Sequence, residues 1–571
     1  MKVNVSEQPM PTGRRSASPG GTQQDRQPAI RPARVDPVPL AEIAALLGLP
    51  EDGLEDAPAV TGVTLDSRSV VPGDVYFALP GASRHGADFA RQAVEAGAVA
   101  IVTDPDGAQQ LALSETSADV PVLVVDAPRA AVGGASALVY GTQRGGGGAG
   151  VALLGVTGTN GKTTTTYFAN ALLRALGHRT GLIGTIEISA GGEPIPSRLT
   201  TPESPEVHAL LAVMREKGVS AASMEVSSHA IEFGRVDGVR YDVVGFTNLT
   251  QDHLDLHGTM GDYYAAKARL FTPERADRAV VTVDDAWGRR LAAEAPIPVT
   301  TLRTEAAGPA DGTDTADWTV TDARRSGVGT AFELRHADGT ALRVRSGLPG
   351  GFNVANAALA TLLVLASGAS AEEVQKALDT DPFTVEVPGR MQLVGTAPAA
   401  VVDFAHNPDA LERALDAVRP EGAGRLIVVF GATGQRDQGK RPIMGAVAAR
   451  GADVVVVTDD DPHDEDAGAI RAEVIAGARA EDAGQGLGRR IDEVAPRAAA
   501  IRHAVSLAGA EDVILVAGRG HESFQEVKGV NLALDDRLEL RAALAEHGRP
   551  LVQDGPGFPS AGADALESDA Q

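Results

Sequence analysis

Cysteine is absent from all 571 residues. That removes disulfides, thiolate metal sites and a thiol nucleophile, and it fits a cytoplasmic protein. Basic residues are scarce, 51 Lys and Arg against 76 Asp and Glu, for a net charge of −25. With no excess of cations to neutralise phosphates, nucleic acid is excluded as a general partner. An anionic small molecule is not excluded, because a local basic cleft can sit within an acidic surface. Long apolar runs are missing too: the nearest, "AALATLLVLASGA", falls short of the roughly 18 residues of a membrane span and reads as a buried helix. Residues 1–37 are polar, rich in Pro, Gly, Gln and Arg, and lack the apolar core of a signal peptide. They and residues 553–571 read as disordered extensions.

What is present, 43% hydrophobic and 22% charged residues, is ordinary for a globular protein. The length exceeds what one core supports and predicts roughly three or four domains. "GTQRGGGGAG", residues 141–150, is a flexible linker by composition. Before it, "GDVYFALPG", "AVAIVTD" and "VPVLVVDA" alternate with Ala-rich helical stretches, a small α/β unit over 38–140. After it, "VALLGV" predicts a buried strand and "KTTTTYFANALLRALG" a helix ending on Gly177, with further strands at "SAASMEV", "YDVVGFTN" and "RAVVTV". Over 385–552, "AAVVDFA", "RLIVVFGAT", "ADVVVVTDD" and "EDVILVAG" are each followed by a helical segment, which predicts a mostly parallel sheet. The expected architecture is three α/β domains, 38–140, 151–384 and 385–552, between two loose ends.

"GVTGTNGKTTTT", residues 155–166, has the look of a phosphate loop but fails the pattern G-x-x-x-x-G-K-(S/T), because Gly158 lies only three residues before Gly161. A strand, then Gly158-Thr159-Asn160-Gly161-Lys162, then a helix opening with Thr163 and Thr164 is still what anion binding requires. Glycines let backbone N–H groups wrap a phosphate, and the helix N-terminus adds partial positive charge. Lys162 suits the outer phosphates and the Thr163 hydroxyl suits Mg²⁺. Glu225, ending the apolar run of "MEVSSHA", is a natural Mg²⁺ carboxylate. "DHLDLH" groups two Asp with two His, including His253. Lys267 lies on the otherwise apolar "YYAAKARLF", where a lysine ordinarily snorkels to solvent.

"TGTNGKTT", with its short glycine spacing, resembles the Mur ligases, ATP-dependent ligases that build the peptidoglycan stem peptide, and their relative folylpolyglutamate synthase. The resemblance runs from about residue 40 to 550. It implies that His253 is metal-associated and that Lys267 is carbamylated by CO₂, making an anion that supports a second Mg²⁺. That chemistry needs a neutral amine, which burial supplies. It implies that Asn356 (with Asn353), Arg390, Asp403 and His406 (with Asn407) meet ATP. "VTLDSRSVVPGDVYFALPG" is similar to the uridine-nucleotide grip of the branch that adds the third residue and is lacking in folylpolyglutamate synthase. Leu65 and Ser67 would face UDP there, and Thr200, Thr201, Ser227 and Arg235 the N-acetylmuramoyl-L-Ala-D-Glu portion. Arg436, Gly518 and Glu522 would contact the incoming amino acid.

The implied reaction transfers the ATP γ-phosphoryl group to the D-Glu γ-carboxylate, and the amine then attacks the acyl phosphate. The implied partners are therefore ATP, a UDP-N-acetylmuramoyl-dipeptide and a diamino acid, taken up by a monomer. A nucleotide-dependent switch is disfavoured by the loop spacing and by the lack of an "NKxD" segment. Family members that add meso-diaminopimelate usually carry "DNPR", whose Arg pairs with that substrate's second carboxylate. This chain reads "DDDPHDED", placing His463 at the Arg position beside Asp460, Asp461, Asp464, Glu465 and Asp466. Those charges repel a second carboxylate and favour L-lysine or ornithine, with meso-diaminopimelate the alternative.

Overall fold

The computed structural model describes residues 30–81, 83–113, 120–142, 150–195, 201–304, 316–326 and 329–553. Thr200, most of the Gly-rich linker and the outer parts of both extensions lie outside them. Three main sheets stand where three α/β units were expected. The first is four-stranded and wholly parallel, Gly62–Thr64, Asp74–Ala78, Ala100–Thr103 and Val122–Val124 in chain order.

The central sheet has eleven strands. Its parallel middle runs Val299–Arg303, Ala276–Thr282, Tyr241–Phe246, Ala152–Thr157, Ala221–Glu225, Thr180–Ile183. Successive residues of Ala152–Thr157 bury on opposite faces, Leu153 with Met224 and Phe246 on one side, Leu154 with Phe168 and Leu363 on the other. Helices therefore cover both faces, as a near-continuous apolar strand requires. After Ala152–Thr157 the chain crosses over to Thr180–Ile183, and Ala221–Glu225 later fills the gap. The carboxyl end of the central strand is thus a switch point, where open α/β sheets leave a ligand crevice.

The third sheet orders Gln392–Thr396, Ala399–Asp403, Val513–Ala517, Leu426–Phe430, Val454–Val457 and Arg490–Glu493, parallel except at its first edge. Three features depart from expectation. Val513–Ala517 is followed by a hairpin, Phe524–Val527 and Val530–Ala533, before the helix Asp536–Glu546. Val385 and Val387 still pack into the central core, so the third unit's own packing begins at Met391. Finally, residues 30–37 were expected to belong to a disordered extension, yet Arg31 is ion-paired with Asp74 and Ala33 is hydrogen-bonded to Glu216.

Candidate active site

The strand Ala152–Thr157 delivers the phosphate loop to the switch point, and the loop's shape depends on two glycines. Gly158 has φ +145°, and a Cβ there would lie 1.8 Å from Thr247 Oγ1. Gly161 has φ +91°, with Asn356 Oδ1 only 2.3 Å from where its Cβ would be. Lys162 opens the helix Lys162–Ala175 and folds back, Nζ donating to the carbonyls of Gly158 (3.1 Å) and Thr159 (2.8 Å). Burial lowers its pKa. Lys267, 1% exposed, donates to the same Gly158 carbonyl at 2.8 Å. Desolvation, helped by the Lys162 charge, pulls its pKa well below that of a free lysine. The snorkelling alternative is therefore set aside by position: this amine points inward.

Thr163 Oγ1 donates to Glu225 Oε2 at 3.0 Å, and Glu225 also accepts from Thr185 N (2.8 Å) and Thr185 Oγ1 (3.0 Å). A hydroxyl and a carboxylate aimed together beside a phosphate loop are an all-oxygen donor set that fits Mg²⁺. Arg390 faces this pair, Nη2 to Thr163 Oγ1 3.4 Å, its guanidinium 4.1 Å above the Phe404 ring. His253 adopts φ +53° and packs edge-on to His229. Burial, reinforced by nearby cations against the pull of Asp252, pushes its pKa down to about 3, which keeps the ring neutral.

The C-terminal domain reaches over the loop. Asn160 Nδ2 donates to Asp409 (3.0 Å), and Asn407 Nδ2 donates to Asn160 Oδ1 (3.2 Å). His406 Nε2 lies 3.6 Å from Asp252. Burial works against ionising Asp252, but His406 and its neighbours hold it below the ordinary carboxylate range. Asp403 accepts from Met391 N at 2.7 Å, and burial raises its pKa. Asn356 is placed against Gly161 and accepts from Thr165 Oγ1 at 3.3 Å.

Two further groups flank this centre. Thr201 Oγ1 donates to the Glu225 carbonyl (3.0 Å), and Ser227 caps the short helix after it. Arg235 pairs with Glu203 at 2.9 Å. Leu65 and Ser67 sit in the N-terminal domain, Ser67 Oγ donating to Gln92. On the far side, carboxylate oxygens of Asp460, Asp461 and Glu522 lie within 4.8 Å of one another. Gly518, φ +114°, backs onto Asp460, and Arg436 lies 3.9 Å from Asp255.

The acidic loop is less repulsive than its sequence suggests. Arg519, fully buried, reaches Asp461 (2.6 Å), Asp460 (3.4 Å) and Glu522 (3.5 Å). Arg441 pairs with Glu465 at 2.9 Å, and His463 Nδ1 lies 2.6 Å from Glu526 Oε2. Two buried arginines offset part of this charge, which weakens the expected rejection of a second carboxylate without removing it. Glu522 keeps a raised pKa, about 8, chiefly from burial and then from Asp460.

Sequence reasoning missed Thr185, Asp252, Phe404, Arg519 and Glu526. Asp252 lay inside a motif already singled out, "DHLDLH", and Arg519 directly beside Gly518. Thr185 carried no signal, being one threonine in a polar turn. Glu526 sits on the unforeseen hairpin.

The chain matches three family models: Mur ligase family, catalytic domain (59–140), Mur ligase middle domain (156–364) and Mur ligase, glutamate ligase domain (389–520). The chain belongs to the Mur ligase family. It is accordingly an ATP-dependent ligase. Among its Mur ligase relatives, UDP-N-acetylmuramoyl-L-alanyl-D-glutamate–2,6-diaminopimelate ligase of Streptomyces avermitilis is 45% identical over 520 residues, covering 90% of this chain and 98% of that one. The UDP-N-acetylmuramyl-tripeptide synthetase of Leifsonia xyli is 45% identical over 523 residues, covering 91% and 98%. A solved 2,6-diaminopimelate ligase is 30% identical, with TM-score 0.59, covering 89% and 99%. The MurF ligase of Thermotoga maritima in complex with ADP, 18% identical with TM-score 0.56 over 86% and 99%, shares the Mur ligase fold. No helix among the described residues is long and apolar enough to cross a membrane.

Proposed function

We propose that this chain joins a diamino acid to UDP-N-acetylmuramoyl-L-alanyl-D-glutamate, with meso-2,6-diaminopimelate the amino acid that the names of its relatives favour. It does so as a cytoplasmic monomer. The observation that carries the reading is the convergence of Lys162, Lys267, Thr163 and Glu225 at one switch point, with the Thr201–Ser227 segment and the Asp460–Asp461–Glu522 carboxylate cluster beside it.

An oxygen of the D-Glu γ-carboxylate attacks the γ-phosphorus of ATP, and the bond to the β-phosphate oxygen breaks to release ADP. The uncharged amine nitrogen then attacks the acyl carbon, the acyl–phosphate bond breaks, and the proton lost by the nitrogen leaves with inorganic phosphate as the amide forms. Phosphoryl transfer of this kind depends on positioning and on neutralising charge. Lys162 and Arg390 supply N–H donors to the phosphates, and Lys267, whose burial favours the uncharged amine, is the one able to take up CO₂. Two Mg²⁺ ions, for which Thr163, Glu225, His253 and a Lys267 carbamate are the candidate ligands, would supply Lewis-acid neutralisation of the phosphates. The domain overhang at Asn160 and Asn407 excludes water that would hydrolyse the acyl phosphate.

A second reading, L-lysine or ornithine, follows from the resemblance that sets His463 where diaminopimelate-adding members carry Arg, and is supported by the engagement of its Nδ1 by Glu526. An ATP-consumption assay with the UDP-dipeptide and each amino acid in turn decides between them. A kcat/KM for meso-diaminopimelate about tenfold or more above that for L-lysine, roughly 1.4 kcal/mol, is expected. The reverse ratio installs the second reading. ADP release without either substrate would remove the ligase mechanism itself.

A further inference from the structure

The arm Ile30–Asp36 crosses the seam between the first two domains without forming helix or strand. At one end Arg31 grips Asp74, Nη1 to Oδ1 and Nη2 to Oδ2, both at 2.6 Å. The Asp74 side chain is completely buried. A fork-to-fork match of planar groups is the strongest geometry an ion pair offers. Arg31 Nη2 also reaches the Ser69 carbonyl at 3.4 Å, while Asp74 Oδ2 accepts from Val71 N at 3.0 Å. Ser69 and Val71 belong to the loop between Gly62–Thr64 and Asp74–Ala78, the loop that carries Leu65 and Ser67. Gly62 leaves room for the pair: a Cβ there would come 2.1 Å from both Arg31 Nη1 and Asp74 Oδ1.

The arm's other hold is on the central domain. The N–H groups of Ala33 and Arg34 both donate to the Glu216 carboxylate, at 2.8 and 2.7 Å, at the last residue of the helix Ser204–Glu216. Ile30 packs on the central core and Val35 on the N-terminal one.

We propose that the arm Ile30–Asp36 is a clasp and Arg31 a positioning residue: together they hold the Leu65–Ser67 loop in its nucleotide-binding shape and fix it relative to the phosphate-loop domain. This rests on the assignment of Leu65 and Ser67 to the UDP end of the substrate. Without Arg31, Asp74 is a buried charge with no cation, and the loop that shares its carboxylate must rearrange. Ordering that loop again is then charged against substrate binding. Losing the Glu216 hold loosens one of several ties across this seam without touching the loop, so it affects alignment of the distant D-Glu carboxylate with ATP.

The test uses the full chain with Arg31→Ala, Arg31→Lys and Glu216→Gln. It measures KM for the UDP-dipeptide and for ATP, calorimetric binding of UDP alone, and hydrogen exchange across residues 62–74. Arg31→Ala is expected to raise the UDP-dipeptide KM about tenfold or more with the ATP KM unchanged, and to speed exchange in 62–74. Arg31→Lys should recover part of the loss, keeping charge but not the fork. Glu216→Gln should lower kcat with UDP affinity retained. Should Arg31→Ala fail to fold, the other two variants carry the test. Variants matching a UDP-binding wild type in KM, kcat and exchange overturn the clasp alone. A wild type that binds no UDP overturns the substrate assignment, and the clasp's role with it.

Discussion

Lys267 shows how far a single position can be read. Its place in an apolar helical run was visible, but whether the amine faced solvent was settled by the fold, which aims Nζ at the Gly158 carbonyl at 2.8 Å. Lys267→Ala should abolish ligation while preserving the melting temperature, since the helix Met260–Ala268 keeps its apolar contacts. Bicarbonate with a short carboxylic acid is expected to restore part of the activity, and full activity in the plain variant would exclude a carbamate. Lys162→Ala should cost kcat by roughly 3–4 kcal/mol, the scale of a lost preorganised electrostatic group, and a change confined to the KM for ATP would argue otherwise. Glu522 gives a prediction with a sign. Its pKa of about 8 means that it is largely protonated at pH 7 in the free protein. An ammonium bound beside it favours the carboxylate, so diamino-acid binding should release a proton, and affinity should climb from pH 6 to about 8 and then level off. Calorimetry in two buffers of different ionisation enthalpy reads that proton directly, and equal heats in both would remove Glu522 from the ammonium site. The motif residues were legible because glycines, a loop lysine and clustered acids have few other uses in that order. Thr185 and Phe404 were not, because their roles depend on which neighbours the fold brings.

Elements were legible where burial is continuous. "VALLGV" and "RLIVVFGAT" became strands buried along almost their whole length. The antiparallel edge Trp318–Ser326, Gly329–His336 and Ala341–Ser346 escaped notice because only alternate residues of Ala341–Ser346 are buried and its neighbours are rich in charge. The hairpin strand Val530–Ala533 is exposed throughout, so no apolar pattern marked it. The helix Ser204–Glu216 carries a testable consequence of its burial pattern. His208 on it is fully buried, with Nδ1 2.5 Å from Thr142 Oγ1 and Nε2 2.9 Å from the Asp237 carbonyl, so it ties the end of the N-terminal domain to the central one. Desolvation pushes its pKa down from 6.5 to about 4. With the folded value below the unfolded one, this histidine's contribution is present above pH 6.5 and is lost as pH falls towards 4, at most about 3 kcal/mol. Melting temperature should therefore decline between pH 6.5 and 4 more steeply in wild type than in His208→Gln. Parallel declines would place the acid sensitivity elsewhere.

At the scale of the whole molecule the two domain seams differ in kind. The N-terminal seam has its own apolar cluster, Tyr140 with Ala209 and Ala212, together with Arg129–Glu203 at 2.7 Å and the His208 bridge. The seam to the C-terminal domain is mostly polar: Asn160–Asp409, Asn407–Asn160, Arg390–Thr163, Gln251–Asp437 and Arg436–Asp255, with Phe352 as its apolar bridge among the described residues. Polar, partly exposed contacts of this kind contribute little each and are weakened by salt. The sequence showed only a Gly-rich linker before the phosphate loop, which suggests freedom at the first seam. The structure puts the weaker seam at the second, because packing across an interface outweighs the composition of the strand that connects it. Domain closure should then be carried by the C-terminal domain while the first two move as one body. Small-angle scattering is expected to show compaction when a non-hydrolysable ATP analogue and the UDP-dipeptide are added together, and expansion of the free protein as salt is raised. Distance measurements between labels should change for the central–C-terminal pair and hold for the N-terminal–central pair. A radius indifferent to both ligands, or a moving N-terminal pair, would mean that the polar seam is as rigid as the apolar one and that water is excluded from the acyl phosphate by other means.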